Sequence, residues 1–137
     1  MRSAIHKSII RVTLVCALIT LASVCVSAQH GYRVTRRVVF KKGSVSTVVS
    51  GTIPNNLEVH EYIVRARKGQ TMRLQLHATR LSIGFYTMSP TNAMVEEEPF
   101  LKEYTGELLE SGDYHILVYS EKGSGKYKLE IQIASDI

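Results

Sequence analysis

Residues 127–133, YKLEIQI, alternate apolar and polar side chains without a break. Tyr127, Leu129, Ile131 and Ile133 can share one buried face, with Lys128, Glu130 and Gln132 in water, only if the segment is a β-strand, because only a strand reverses its side chains at every residue. The pattern recurs. Residues 71–77 (TMRLQLH) put Met72, Leu74 and Leu76 on one face and Arg73, Gln75 and His77 on the other. Residues 62–66 bury Tyr62, Val64 and Ala66, and residues 114–119 bury Tyr114, Ile116 and Val118. Beyond residue 28 no segment carries a helical repeat.

Turn residues separate these runs at short intervals: Lys42-Gly43, Pro54-Asn55-Asn56, Lys68-Gly69-Gln70, Ser111-Gly112-Asp113 and Lys122 to Gly125. Further strands are expected over 37–40, 45–53, 81–86 and 103–108. The fold class is therefore all-β, a single antiparallel β-sandwich of about eight strands over residues 36–135. Residues 29–35 read as a flexible lead-in. The longest irregular piece, 88–100, holds Pro90, Pro99 and the run Glu96-Glu97-Glu98, read as a solvated acidic loop.

Residues 1–28 read as a cleavable signal peptide. Arg2, Lys7 and Arg11 precede an apolar run over 12–26 that closes on Val26-Ser27-Ala28, small residues of the kind a signal peptidase reads. The expected location is periplasmic or secreted, with no stable membrane anchor after cleavage. Cys16 and Cys25 would leave with the leader, so the remaining 109 of 137 residues hold one domain and no disulfide. Three of the 17 Lys and Arg precede residue 29 and none of the 12 acids does. Fourteen cations then face twelve acids, a formal +2, which is no footprint for nucleic acid. The charges are uneven, with ten bases and two acids over 29–80 against four bases and ten acids over 81–137.

Residues 120–127, SEKGSGKY, end like a phosphate loop. That motif needs a glycine where Ser120 stands, a hydroxyl next to the lysine where Tyr127 stands, and a helix to follow. A strand follows instead, so the stretch reads as a hairpin turn that binds no nucleotide. The chain after residue 28 offers no cysteine nucleophile and no Gly-x-Ser-x-Gly elbow. His77 and His115 fall on outward faces. No histidines or cysteines stand at metal-ligand spacing, and no cofactor, metal or catalytic residue is expected. The protein is read as a non-enzyme.

Four phrases together carry a family resemblance: VVFKKGSVSTVVSGTI, EYIVRARKGQTMRLQL, ESGDYHILVY and GKYKLEIQI. Over about residues 38–133 the chain resembles small secreted bacterial domains of the pre-peptidase C-terminal-like type. Among these it looks most like the periplasmic inhibitors of goose-type lysozyme. The resemblance implies a binding protein that inhibits a lysozyme by inserting loops into its active-site cleft. By analogy the target-binding residues are Asn55, Asn56, Leu57 and Glu58 after the second strand, and Lys122 and Ser124 in the last loop. Family inhibitors commonly carry a longer, arginine-bearing loop there. Here it is SEKGSGK, which leaves Lys122 as the cation. The alternative is a generic envelope or extracellular β-sandwich module binding glycan or protein without lysozyme inhibition. A basic patch of Arg65, Arg67 and Arg73 on neighbouring strands would suit an acidic glycan.

Overall fold

The computed structural model describes residues 31–135; the signal peptide expected over 1–28 lies outside them. Eight strands form: β1 Tyr32–Arg37, β2 Ser46–Ile53, β3 Glu58–Ala66, β4 Gln70–Ala78, β5 Ile83–Met88, β6 Glu103–Glu107, β7 Gly112–Ser120 and β8 Gly125–Ser135. They make two four-stranded sheets, one ordered β1-β3-β7-β5 and the other β2-β8-β4-β6. Odd-numbered strands occupy one sheet and even-numbered strands the other. Every connection therefore crosses between the layers, and no two consecutive strands pair. The turn expected as a final hairpin, between β7 and β8, is one of these crossovers.

Three details expected at the N-terminal end need correction. Residues 32–35 are not a flexible lead-in, because they belong to β1, and the strand expected over 37–40 ends at Arg37. β1 also runs parallel to β3, from Tyr32 opposite Glu58 to Arg37 opposite Ile63, so the sandwich is not wholly antiparallel. The physical cause lies on the outer face of the odd sheet. Arg33 and Thr35 reach Glu61, and Arg37 reaches Asp113, so polar side chains anchor β1 where hydrophobic alternation is weak. Val38 continues by donating its N–H to the Ile63 carbonyl, and Val38 and Phe40 then pack on the core.

The inward faces match the alternation. Val64, Met72, Leu74, Ile116, Val118, Leu129 and Ile131 are fully buried between the sheets. Each contributes about 1.5–3 kcal/mol relative to an exposed position. Tight turns are made by Gly43, Gly69 and Gly123, whose φ angles of 79°, 87° and 73° lie in the left-handed region that favours glycine.

The acidic loop is not wholly solvated. Glu97 and Glu98 are exposed, but Glu96 is buried and its Oε2 accepts the Thr87 N–H at 2.9 Å. β5 is a sheet edge, and its backbone needs partners. Val95 N–H to Thr87 O, and the reciprocal pair between Phe85 and Leu101, supply the others. The loop thus closes an edge.

Candidate functional site

The register brings the two expected target-binding loops to one end of the sandwich. Ile53 faces Gly125 in the even sheet, and Val59 faces Tyr119 in the odd sheet. The β2–β3 loop (54–57) and the β7–β8 loop (121–124) leave from these paired ends, and so lie side by side. The β4–β5 turn (79–82) joins them, with Thr79 N–H bound to the Lys126 carbonyl.

Both loops are tied down. Asn55 Oδ1 accepts the Leu57 N–H at 2.9 Å, an Asx turn, and the Leu57 carbonyl accepts the Tyr32 N–H at 2.7 Å. Across the end, Ser82 O accepts the Glu121 N–H and Ser82 Oγ donates to the Lys122 carbonyl, each at 2.8 Å. Asn55, Asn56, Lys122 and Ser124 are left presenting exposed side chains on fixed backbone. Leu57 is 40 % exposed and Leu81 90 % exposed. Leu81 had been read as a strand start. Two residues ahead of β5, it in fact adds a second apolar tip at this end.

Glu58 departs from its expected role. As the first residue of β3 it turns its carboxylate on His60, with Nε2 at 2.8 Å. His60 Nδ1 lies 2.6 Å from the Tyr127 hydroxyl, which lies 2.5 Å from that of Tyr62. A carboxylate can only accept, so in a neutral imidazole Nε2 donates and Nδ1 accepts. Tyr127 then donates to His60 and accepts from Tyr62, and all four groups are satisfied in one chain. Burial, and next the hydrogen bond with Tyr62, push the Tyr127 hydroxyl well above the usual tyrosine range. Gly51 makes the space, since a Cβ there would sit 2.8 Å from the Tyr127 oxygen and 3.0 Å from His60 Nδ1. This column supports the loop end from within. It was missed in the sequence because the β3 alternation was started at Tyr62; carried back two residues, it places His60 inside.

The basic patch does not form as expected. Arg65 points outward from the odd sheet and Arg73 from the even sheet, so they face opposite sides. The turn between β3 and β4 crosses between the layers, so these strands are not neighbours in one sheet. Arg65 also shares Asp113 with Arg37, at 3.9 and 2.8 Å. Among the described residues no group of three His, Cys, Asp or Glu side chains could hold a metal ion.

Neither a protein-family model nor a curated protein sequence matches the chain. Solved structures do. PliG of Aeromonas hydrophila, a periplasmic lysozyme inhibitor of g-type lysozyme, matches at TM-score 0.66 and 23 % identity, over 74 % of this chain and 97 % of that one. PliG of Salmonella Typhimurium, with the same description, matches at TM-score 0.54 and 26 % identity, over 75 % and 98 %. The pre-peptidase C-terminal domain of a Bacillus anthracis collagenase matches at TM-score 0.52 and 11 % identity, over 74 % and 93 %. Over nearly the whole length of those domains, this chain folds as the g-type lysozyme inhibitors and the pre-peptidase C-terminal domain do.

Proposed function

We propose that this chain is an exported, periplasmic or secreted inhibitor of a goose-type lysozyme, acting through the loop end of the sandwich. The supporting observation is the likeness to inhibitors over 97 % and 98 % of their length and 74 % and 75 % of this chain. Leu57 and Leu81 supply apolar contact, Lys122 a cation for the carboxylates of a muramidase cleft, and Asn55, Asn56 and Ser124 hydrogen bonds to its sugar-binding groups. The loops are held at both flanks, so little ordering entropy opposes docking. Glu58 acts on His60 beneath this surface. The role needs no cofactor and no catalytic group.

The alternative is a generic envelope or extracellular module binding glycan or protein, and a basic patch of Arg65, Arg67 and Arg73 would have suited an acidic glycan. With Arg65 and Arg73 on opposite faces, the three arginines do not form one surface, so that support for the alternative is missing.

Purified chain titrated against goose-, chicken- and invertebrate-type lysozymes on bacterial cell walls tests the proposal. Stoichiometric inhibition of the goose type alone is expected. Leu57→Ala and Lys122→Ala should each weaken it about tenfold, the cost of truncating one interface anchor. A folded sample that inhibits none of the three sinks the reading.

A further inference from the structure

Three of the four sheet edges are protected. β1 carries Arg33, Arg36 and Arg37, β5 is covered by the segment from Met94 to Leu101, and β6 has only five residues, with a glutamate at each end. The fourth edge, β2, has none of these devices. Its eight residues, STVVSGTI, hold no charge and no proline, and they pair with β8 in unbroken register. Val48 on its outer face is 60 % exposed.

The free edge can be read group by group. Ile133 donates its N–H to the Val45 carbonyl, so the backbone groups of odd-numbered residues in β2 face β8 and those of even-numbered residues face away. Ser44 Oγ satisfies Ser46 by accepting its N–H and donating to its carbonyl. Val48, Ser50 and Thr52 remain, with N–H and C=O pointing outward and no partner among the described residues.

We propose that β2 is a homodimerisation edge: two copies pair their β2 strands antiparallel about a twofold axis through Val49, joining the even sheets into one eight-stranded sheet. The strand is complementary to itself. In this register Val48 exchanges both hydrogen bonds with Ser50 of the second copy, and Ser50 with its Val48. The outer-face row then runs Glu130, Val48, Ser50 and Lys128, the last two from the second copy, so opposite charges flank the seam. Long side chains can lean over Val48 and Ser50 to close the gap of three strand spacings, about 14 Å at the backbone. An axis at Val48 would align two Glu130 side chains, and an axis at Ser50 two Lys128 side chains. Charge therefore selects Val49. Such an interface is isologous and closes at two copies. The inference does not depend on lysozyme inhibition.

Both sheets and the core packed between them are formed by residues within 31–135, and the chain from residue 29 has no cysteine, so it is suited to the test. Sedimentation across rising concentration is expected to show twice the monomer mass, and Val48→Lys should raise the dissociation constant by about tenfold or more. Mild oxidation should cross-link Val49→Cys, because the two axial Cα atoms lie about 4.5 Å apart as a non-hydrogen-bonded pair. Ser50→Cys should not cross-link, its two copies being offset to about 8 Å. Lys128→Glu should loosen the dimer, and Lys128→Glu with Glu130→Lys should restore it. A chain that stays monomeric with no Val49→Cys dimer overturns the proposal, and leaves the edge to an extended segment of another protein. Cross-linking through Ser50→Cys instead also overturns it.

Discussion

The two outer faces of the sandwich are built from the same alternating strands but differ in kind. On the even sheet Arg73, Gln75, His77, Lys128, Glu130 and Gln132 stand in water or at its margin, and none forms an ion pair among the described residues. On the odd sheet the outward side chains are knitted into a further layer. Glu61 accepts from Thr35 Oγ1 at 2.7 Å and lies 2.9 Å from His115 Nδ1 and 3.5 Å from Arg33. Leu117, in the row between Glu61 and Tyr86, is only 2 % exposed. Beyond it the Tyr119 ring meets Tyr86 and Phe100 edge-on, with centroids 5.8 and 5.6 Å away, and donates its hydroxyl to Pro99 O. Phe100 rests on Gly84, where a Cβ would fall 2.4 Å from the ring. Lys102 caps the cluster 4.6 Å from the Phe100 centroid and donates to the carbonyls of Leu81 and Ile83, while burial lowers its ammonium pKa. The lesson is that alternation describes a strand, and covering describes a sheet. The odd sheet is covered because β1 and the loop after β5 bring side chains over it.

The largest expected contrast is between Leu117→Ala and Arg73→Ala. The first opens a cavity beneath the covering layer and should cost about 2–5 kcal/mol in urea unfolding. The second should stay within about 0.5 kcal/mol. Equal costs would erase the distinction between the faces. Gly84→Ala should cost about 1–3 kcal/mol by driving Phe100 off the sheet, visible as loss of near-ultraviolet tyrosine dichroism.

Glu61 gives a pH-dependent contrast. Burial pushes its carboxyl up, but the hydrogen bonds from Thr35 and His115 and the charge of Arg33 outweigh this and hold it below the ordinary value. A lowered folded pKa stabilises the native state above the unfolded value of about 4.3, and that contribution is lost as pH falls through the folded value. Glu61→Gln should therefore cost about 1 kcal/mol at neutral pH and flatten the decline below about pH 4. The smallest effect belongs to Arg37→Ala. The Arg37 pair with Asp113 is exposed, so the variant should differ from the parent only slightly and not at all in high salt.

Legibility followed the same division. In β4 and β8 every inward residue was readable, because each strand of the even sheet has one dry and one wet face. In β3 and β7 the rule failed where both faces are covered: Glu61 and Leu117 occupy outward positions yet are buried. β1 was hidden because arginines rather than apolar residues take outer positions in it, and its side-chain partners Glu61 and Asp113 are distant in the chain. At the candidate site the turns around Asn55 and Gly123 were visible as turns. His60 is legible as an inward position once the β3 alternation is carried back to it, but its partner Tyr127 was not, being distant in the chain.

By itself the sequence determined that this protein is made of short strands, which face of most strands is apolar, and where the chain turns. Those properties repeat within a few residues and need no knowledge of the rest of the molecule. Only the tertiary structure decided which sheet each strand joined. That choice separated Arg65 from Arg73, set the loops after β2 and β7 side by side, closed the β5 edge and left β2 open. Strand partners are selected by packing and pairing across the whole chain, and with every connection crossing between layers, no local turn could announce them.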